Sequence, residues 1–306
     1  MVFNTRINFN KEAEGIAHSN HLQRCTQGNE VFYQSSTYGN FDGVFMKIRG
    51  STLQIKCSLH KLYYKSEHGS LDNSQMFTLS EARLMLDSFF QNIGIEISKV
   101  KVTYYELGIN LNLTNDPITY IELMQSVGQQ NEKEMFNDAN YQKNRQKTTE
   151  KSRNIRKVLK VYDKGFEARS KGRRVEGNIL RLETIYRRQS VMLSSLINEE
   201  NLERLTARFF RDWNCVEFPR SMICDKGIKV SQMGKAKDIL GLGREEYLNR
   251  GKSSYRSGEI SKKQWETIRV FSKQWDRIKC KFHFVAGETE KEYKNSLITA
   301  FQTAIS

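Results

Sequence analysis

The sequence predicts an α+β protein, with a central antiparallel sheet, helices packed against one of its faces, and a mainly helical C-terminal region. Three observations carry that expectation. Between residues 50 and 190 several runs alternate apolar and polar residues with a period of two, the signature of half-buried strands. Helical periodicity instead appears in one run before residue 100 and again beyond residue 190. Hydrophobic residues at 38% and aromatics at 11% are enough for a packed core. The 306 residues can form one large domain or two ordinary ones. With two prolines and no Gly/Ser-rich linker, residues 1–190 and 191–306 are expected to be closely joined.

Taken in order, Val31 to Tyr38 and Val44 to Ile48 are candidate strands, with Gly39, Asn40 and Gly43 as turn signals between them. From Thr52 to Tyr64 the alternation sends Leu53, Ile55, Cys57 and Leu59 one way. Gln54, Lys56, Ser58 and His60 go the other way, which puts His60 on a polar sheet face. Leu79 to Ile93 is a helix: Thr78 or Ser80 caps it, Glu81 lies in its first turn, and Leu79, Ala82, Leu86, Phe89, Phe90 and Ile93 form its apolar stripe.

Lys101 to Leu113 alternates most clearly. Tyr105, Leu107, Ile109, Leu111 and Leu113 make an apolar face, against Tyr104, Glu106, Gly108, Asn110 and Asn112. A carboxylate at Glu106 among amides is a candidate metal ligand. The segment from Tyr120 to Ser152 begins as a helix and becomes strongly polar. Arg156 to Arg188 reads as two short strands joined by a basic turn. Lys160, Tyr162 and Lys164 share one face of the first strand, and Arg181 and Glu183 share a face of the second. Further on, Leu193 to Phe210 is helical with a break near Asn198–Asn201, and Lys262 to Lys279 is a longer helix whose Trp265 and Trp275 either join a core or assist a partner's binding.

The chain carries a formal charge of +14, a self-repulsion most easily tolerated when the usual partner is an anion. Thirteen Lys/Arg between Tyr141 and Arg174, against Glu150, Asp163 and Glu167, hold a net +10 of it. A charge run flanking a tyrosine and two strands with reactive faces suits a nucleic-acid backbone, with Arg156, Lys157, Lys160, Arg169, Lys171, Arg173, Arg174 and Arg181 as the contacts. The bland reading is a solvated basic face. Five scattered cysteines without C-x-x-C spacing read as reduced thiols. No run of 18 apolar residues occurs and the N-terminus lacks the apolar core of a signal peptide, so no membrane partner and a cytoplasmic location are expected.

The strings SLHKLYYKSEHGSLDNSQMFTLSEARLMLDSFFQ, YYELGINLNL, KVLKVYDKGFEAR and ILRLETIYRR resemble the rolling-circle replication initiation proteins (Rep nickases) of small plasmids and filamentous phages. The resemblance covers about residues 50 to 190. It implies a sheet of the nickase/relaxase type and a catalytic domain at 1–190, with 191–306 either DNA-binding or integrated in the same domain. In that family a tyrosine in a YDK context precedes a strand with an R-x-E pattern, and an earlier strand carries an acidic residue where this chain has Glu106. The His-hydrophobe-His triplet of the wider superfamily is missing, so His60 stands in for part of it at most.

The implied activity is nicking and rejoining of one DNA strand at an origin, within a prokaryotic host cell. Tyr162 is the expected nucleophile, forming a 5′-phosphotyrosine link and releasing a 3′-hydroxyl, with Lys164 and Lys160 assisting a hydroxyl whose ordinary pKa is about 10. Tyr186 and Tyr141 are the reserve nucleophiles. Glu106, Glu183 and, in part, His60 are the expected ligands of Mg²⁺ or Mn²⁺. Implied partners are single-stranded and hairpin origin DNA, a host helicase and polymerase, and a second copy of the chain. A mobilisation relaxase or single-strand transposase would use the same chemistry. A repressor would use the basic hairpin only to hold phosphates, leaving Glu183 as a simple ion-pair partner of its neighbours.

Overall fold

The computed structural model describes the chain except residues 8, 37–42, 71–72, 76, 129–132, 151, 153, 220 and 306. The expected turn at Gly39 and Asn40, and the end of the strand expected to reach Tyr38, lie outside the described residues. Two compact units form: residues 1–218 with 292–306, and residues 219–291. This division differs from a boundary at residue 190, because the helical segments 191–218 and 292–306 pack with the sheet instead of forming a body of their own.

The first unit opens with β1 (Val2–Arg6), α1 (Phe9–Ser19), β2 (Gln23–Gln27), β3 (Glu30–Gln34), β4 (Val44–Arg49) and β5 (Thr52–Cys57). Then come α2 (Leu59–His68), α3 (Leu79–Asn92), β6 (Lys101–Leu113) and α4 (Pro117–Leu123). Short pieces follow: β7 (Ser126–Val127), β8 (Lys133–Glu134), β9 (Phe136–Asn137), α5 (Tyr141–Asn144) and β10 (Gln146–Thr148). The hairpin is β11 (Lys157–Asp163), α6 (Lys164–Ser170) and β12 (Asn178–Tyr186), followed by β13 (Val191–Met192), α7 (Leu193–Leu196) and α8 (Glu199–Asn214).

The main sheet is antiparallel throughout, in the order β2-β3-β4-β5-β1-β6-β12-β11-β10-β9, with β13 also on β6. β6 is its centre. Its first residues pair with β1, and from Tyr105 to Leu113 it pairs with β12 in unbroken register. Between Phe3↔Val102 and Val2↔Tyr104 one extra residue, Thr103, enters β6 as a bulge. The bulge resets the alternation, so that Val102 and Tyr105 both point into the core.

One face of the sheet carries that core. Around β1, β4 and β5 it comprises Phe3, Met46, Ile48, Leu53 and Ile55 with Leu86 and Phe90 of α3. Around β6, β11 and β12 it comprises Ile109, Leu111, Val161, Leu180 and Leu182 with Phe209 and Trp213 of α8. Trp213 is fully buried and its indole N–H donates to Thr184 Oγ1 at 3.1 Å, as a buried indole requires. Local sequence sets the helix starts. Of the two expected caps, Thr78 and not Ser80 starts α3, in a capping box with Glu81; Asn198 caps α8 through Asn201 N–H, and Asp163 caps α6 through Phe166 N–H.

The second unit contains β14 (Ser221–Cys224), α9 (Val230–Leu242), α10 (Arg244–Arg256), α11 (Lys262–Ile278) and β15 (Phe282–Val285), with β14 and β15 antiparallel. Ala236, Ile239, Tyr247, Phe271, Trp275 and Phe282 are its core, which absorbs Trp275 as packing. α12 (Glu288–Ile305) ends the chain, and its Tyr293 and Leu297 belong to the core of the first unit. Among the described residues no helix is long and apolar enough to cross a membrane.

Candidate functional site

Strand register builds the site. Directly opposed residues of neighbouring antiparallel strands share a face, and the register sets Gln146, Tyr162, Arg181 and Asn110 in one row and Thr148, Lys160, Glu183 and Gly108 in the next. Both rows lie on the face opposite the Leu159, Val161, Leu180 and Leu182 core, so the two strands bury apolar residues on one side and present polar ones on the other.

The Tyr162 hydroxyl donates to Glu183 Oε1 at 2.9 Å. Arg181 Nε donates to the same oxygen at 2.7 Å, and Arg181 Nη1 donates to Asn110 Oδ1 at 2.9 Å. Lys160 Nζ lies 2.7 Å from Glu183 Oε2 and 4.8 Å from the centre of the Tyr162 ring. Asn110 is fixed in turn, because its amide donates to the backbone carbonyls of Asn73, Ser74 and Gln75. Gly108 makes the arrangement possible. A Cβ there would stand 2.7 Å from Arg181 Nη2, closer than real contacts allow, and a tight 3.2 Å from Glu183 Cγ.

Burial alone would push the Glu183 carboxyl up, but Arg181 and then Lys160 overcome it and hold the group at about 2, against an ordinary 4.5. Burial pushes the Tyr162 hydroxyl well above 10; Arg181 opposes that and Glu183 adds to it. The tyrosine is therefore held protonated, hydrogen-bonded to an ionised carboxylate.

A second group of charges adjoins the first. β11 ends at Asp163, so Lys164 does not share the Tyr162 strand face as expected. It begins α6, is 2% exposed, and binds Glu167 Oε2 at 2.5 Å. Glu167 also takes Lys171, and although burial pushes it up, these two lysines hold it at about 2. Lys61 of α2, absent from the sequence-based candidates, joins this group. Burial lowers its pKa first, and the charges of Arg173, Lys171 and Arg181 lower it further. Long-range packing of α2 brings Lys61 there, and neither charge pattern nor spacing around it signals the fact.

Two other placements differ from expectation. The strand expected over Thr52–Tyr64 stops at Cys57, so His60 stands on α2, buried and stacked on Phe77 with ring centres 4.7 Å apart. The run LHKLYYKSEH has enough helix formers to leave the sheet, and its apolar residues fit either period. Lys157 pairs with Asp212 of α8 on the core side, away from the Tyr162 face. Of the reserve nucleophiles, Tyr186 stacks on Tyr105 in the core, with ring centres 4.7 Å apart, and Tyr141 is half-buried on α5. Arg156, Arg169 and Arg174 are exposed and Arg173 is half-buried.

Glu106 is exposed, accepts the Tyr104 hydroxyl, and lies on the same sheet face, diagonal to Glu183. A crevice of about 230 Å³ beside β6 has His60, Gln75, Glu106, Gly108, Asn110 and Arg181 among its walls. The expected ligands of a divalent ion do not fit one in this arrangement. Glu183 is already held by Tyr162, Arg181 and Lys160, and an incoming cation would have to displace an ammonium 2.7 Å away. Among the described residues no three His, Cys, Asp or Glu side chains converge on a common ion position.

The arrangement can hold an anion over a tyrosine, and can pass that tyrosine's proton to a carboxylate. Comparison of the chain with protein-family models and with curated proteins finds no match.

Proposed function

We propose that this chain is a tyrosine nickase that breaks and rejoins one DNA strand at a plasmid or phage origin, the role of a rolling-circle replication initiator. The observation that carries the proposal is the Tyr162–Glu183 hydrogen bond set between Arg181 and Lys160. In isolation a carboxylate held at about 2 is a weak base and a buried tyrosine a weak nucleophile. The scissile phosphate changes both. As an anion it competes with Glu183 for Arg181 and Lys160, which raises the basicity of the carboxylate and shifts positive charge toward the phosphorus.

The Tyr162 oxygen then forms a bond to phosphorus as the bond from phosphorus to the 3′-oxygen breaks. The tyrosine proton passes to Glu183 and from there to the departing 3′-oxygen. The product is a 5′-phosphotyrosine and a free 3′-hydroxyl, a primer for a host polymerase, and the reverse step reseals the strand. Arg181 and Lys160 carry the charge that builds on the phosphate, and Lys61 and Lys164 add to the positive field.

A second reading has its own support. Tyr162 is only 8% exposed, as a packing tyrosine would be, and a non-catalytic DNA-binding protein would need no more. One assay separates the two. Protein is incubated with single-stranded DNA from its own replicon, with and without Mn²⁺, and a covalent adduct is sought on a denaturing gel. An adduct that Tyr162→Phe abolishes is expected; no adduct with any such DNA overturns the nickase reading. A relaxase or transposase would give the same adduct, and the neighbouring genes distinguish those roles.

A further inference from the structure

The second unit, residues 219–291, holds 17 Lys/Arg against nine Asp/Glu, a net +8. Two of its helices gather much of that charge on one side. α10 and α11 lie side by side and antiparallel: Arg244 of α10 bonds Ser272 at 3.2 Å and Asp276 at 2.7 Å near the end of α11, and Tyr255 stacks on Trp265 near its start, with ring centres 6.4 Å apart. Between these contacts Gly251 lets the helices close in, since a Cβ there would stand a tight 3.0 Å from Ile268. Both helices turn their buried residues, Tyr247, Phe271 and Trp275, to the unit's core. With 3.6 residues per turn, the opposite side of α10 carries Glu245, Asn249, Lys252 and Arg256, and that of α11 carries Lys262, Glu266, Arg269, Lys273 and Arg277. Arg269 is held by Glu266 at 2.7 Å. Lys252, Arg256, Lys262, Lys273 and Arg277 are exposed, and none of the five has a carboxylate partner among the described residues. Every residue of both helices is described, so the composition of this side is complete.

We propose that this side of α10 and α11 is a docking surface for the sugar-phosphate backbone of duplex DNA. Like charges held side by side without counter-charges repel, and a partner with regularly spaced negative charge offsets that cost. The α11 row spans roughly 22 Å from Lys262 to Arg277 at about 1.5 Å per residue, and a duplex presents one phosphate charge per about 1.7 Å of its axis, so each cation of the row has a phosphate within reach. Shape selects the duplex over other anions. A single strand is held in a groove lined by open aromatic rings, whereas this side is a pair of helix ridges whose nearby rings are engaged, Tyr255 and Trp265 with each other and Trp275 in the core. A membrane-surface helix inserts its apolar side, and that of α11 is buried within the unit. A second copy of the chain would bring cations against cations. Lysine and arginine on phosphates fix position without reading bases, so binding is expected to be independent of sequence.

The test is fluorescence anisotropy with a fluorescein-labelled duplex of about 20 base pairs, longer than the α11 row, using full-length protein in the Tyr162→Phe background, where no covalent step contributes. Lys252→Gln with Arg256→Gln, and separately Lys262→Gln with Lys273→Gln and Arg277→Gln, are each expected to reduce the slope of log affinity against log salt by about 0.9 per residue changed, equally for two duplexes of unrelated sequence. All five side chains are exposed, and unchanged circular dichroism and melting temperature show that the fold is kept. Lys226→Gln with Lys281→Gln removes two exposed charges of the same unit away from α10 and α11, and is expected to leave the slope as it was. An equal fall in that control would mean that net charge alone acts, and would overturn the surface. Slopes equal to the parent's in both helix variants overturn it too, as does a dependence seen with phosphatidylserine vesicles and not with the duplex. The proposal stands apart from the nicking reaction: helix-dependent duplex binding with no adduct in the parent protein sinks the nickase reading alone, and an adduct without such binding sinks the docking surface alone.

Discussion

Tyr162 and Glu183, 21 residues apart in the chain, meet through a 2.9 Å hydrogen bond in which the phenol donates to the carboxylate. They do not face each other directly in the ladder. Tyr162 opposes Arg181 and Lys160 opposes Glu183, so the bond crosses the sheet diagonally. Arg181 and Lys160 flank the shared carboxylate, which couples the phenol, the carboxylate and both cations in one unit.

Tyr162→Phe tests the nucleophile. The variant keeps the ring and its packing, and loses one buried hydrogen bond whose acceptor remains satisfied by Arg181 and Lys160. A stability loss of about 1 kcal/mol is expected by chemical denaturation, together with complete loss of the covalent adduct. An undiminished adduct would move the nucleophile elsewhere.

Glu183 gives the protein a measurable acid dependence. Its folded pKa of about 2 lies below the ordinary 4.5, so its stabilisation is fully present above the ordinary value and is lost as pH falls toward 2. The difference corresponds to about 3 kcal/mol. Glu167 titrates in the same window, so the measurement is the difference between parent and Glu183→Gln. The parent is expected to lose stability more steeply between pH 5 and pH 2 (roughly the interval between the two pKa values). Parallel curves would show that Glu183 is not the group held by the cations.

Gly108→Ala is expected to disturb the site without touching a charged residue. The new Cβ would press on a guanidinium pinned at both ends, by Glu183 and Asn110, so little relaxation is open to it. A cost of about 1–3 kcal/mol is expected, with a lower rate of adduct formation. Equal stability and equal rate would mean that Arg181 moves aside freely.

Lys61→Met separates stability from function. Burial and the repulsion of Arg173, Lys171 and Arg181 disfavour the charged lysine in the fold, so removing the charge is expected to stabilise the protein by a few tenths of a kcal/mol after solvent screening. Oligonucleotide affinity and adduct rate are expected to fall. A variant that is both more stable and equally active would remove Lys61 from the site.

Much of the fold was legible because alternation is a local property. The strand Lys101–Leu113 and, from Tyr104 onward, its two faces follow from period two, and Thr78 with Glu81 marks the start of α3. The same reasoning fails where local signals are ambiguous. LHKLYYKSEH fits a helix or a strand, and packing against α3 decided for helix, carrying His60 off the sheet and bringing Lys61 to the site. Lys164 follows Tyr162 by two residues and belongs to the same face only if the strand continues; Asp163 caps a helix instead.

Residue types and their alternation, then, were enough to nominate Tyr162, Glu183, Glu106 and the basic flank, because each depends on neighbours within a few positions. Which of them touch could not be read that way. The meeting of Tyr162 with Glu183, the crossing of Arg181 over Gly108, the diversion of Lys157 to Asp212 and the arrival of Lys61 depend on register between strands and packing between helices. Those are contacts between residues far apart in the chain, and their energies do not appear in any local pattern.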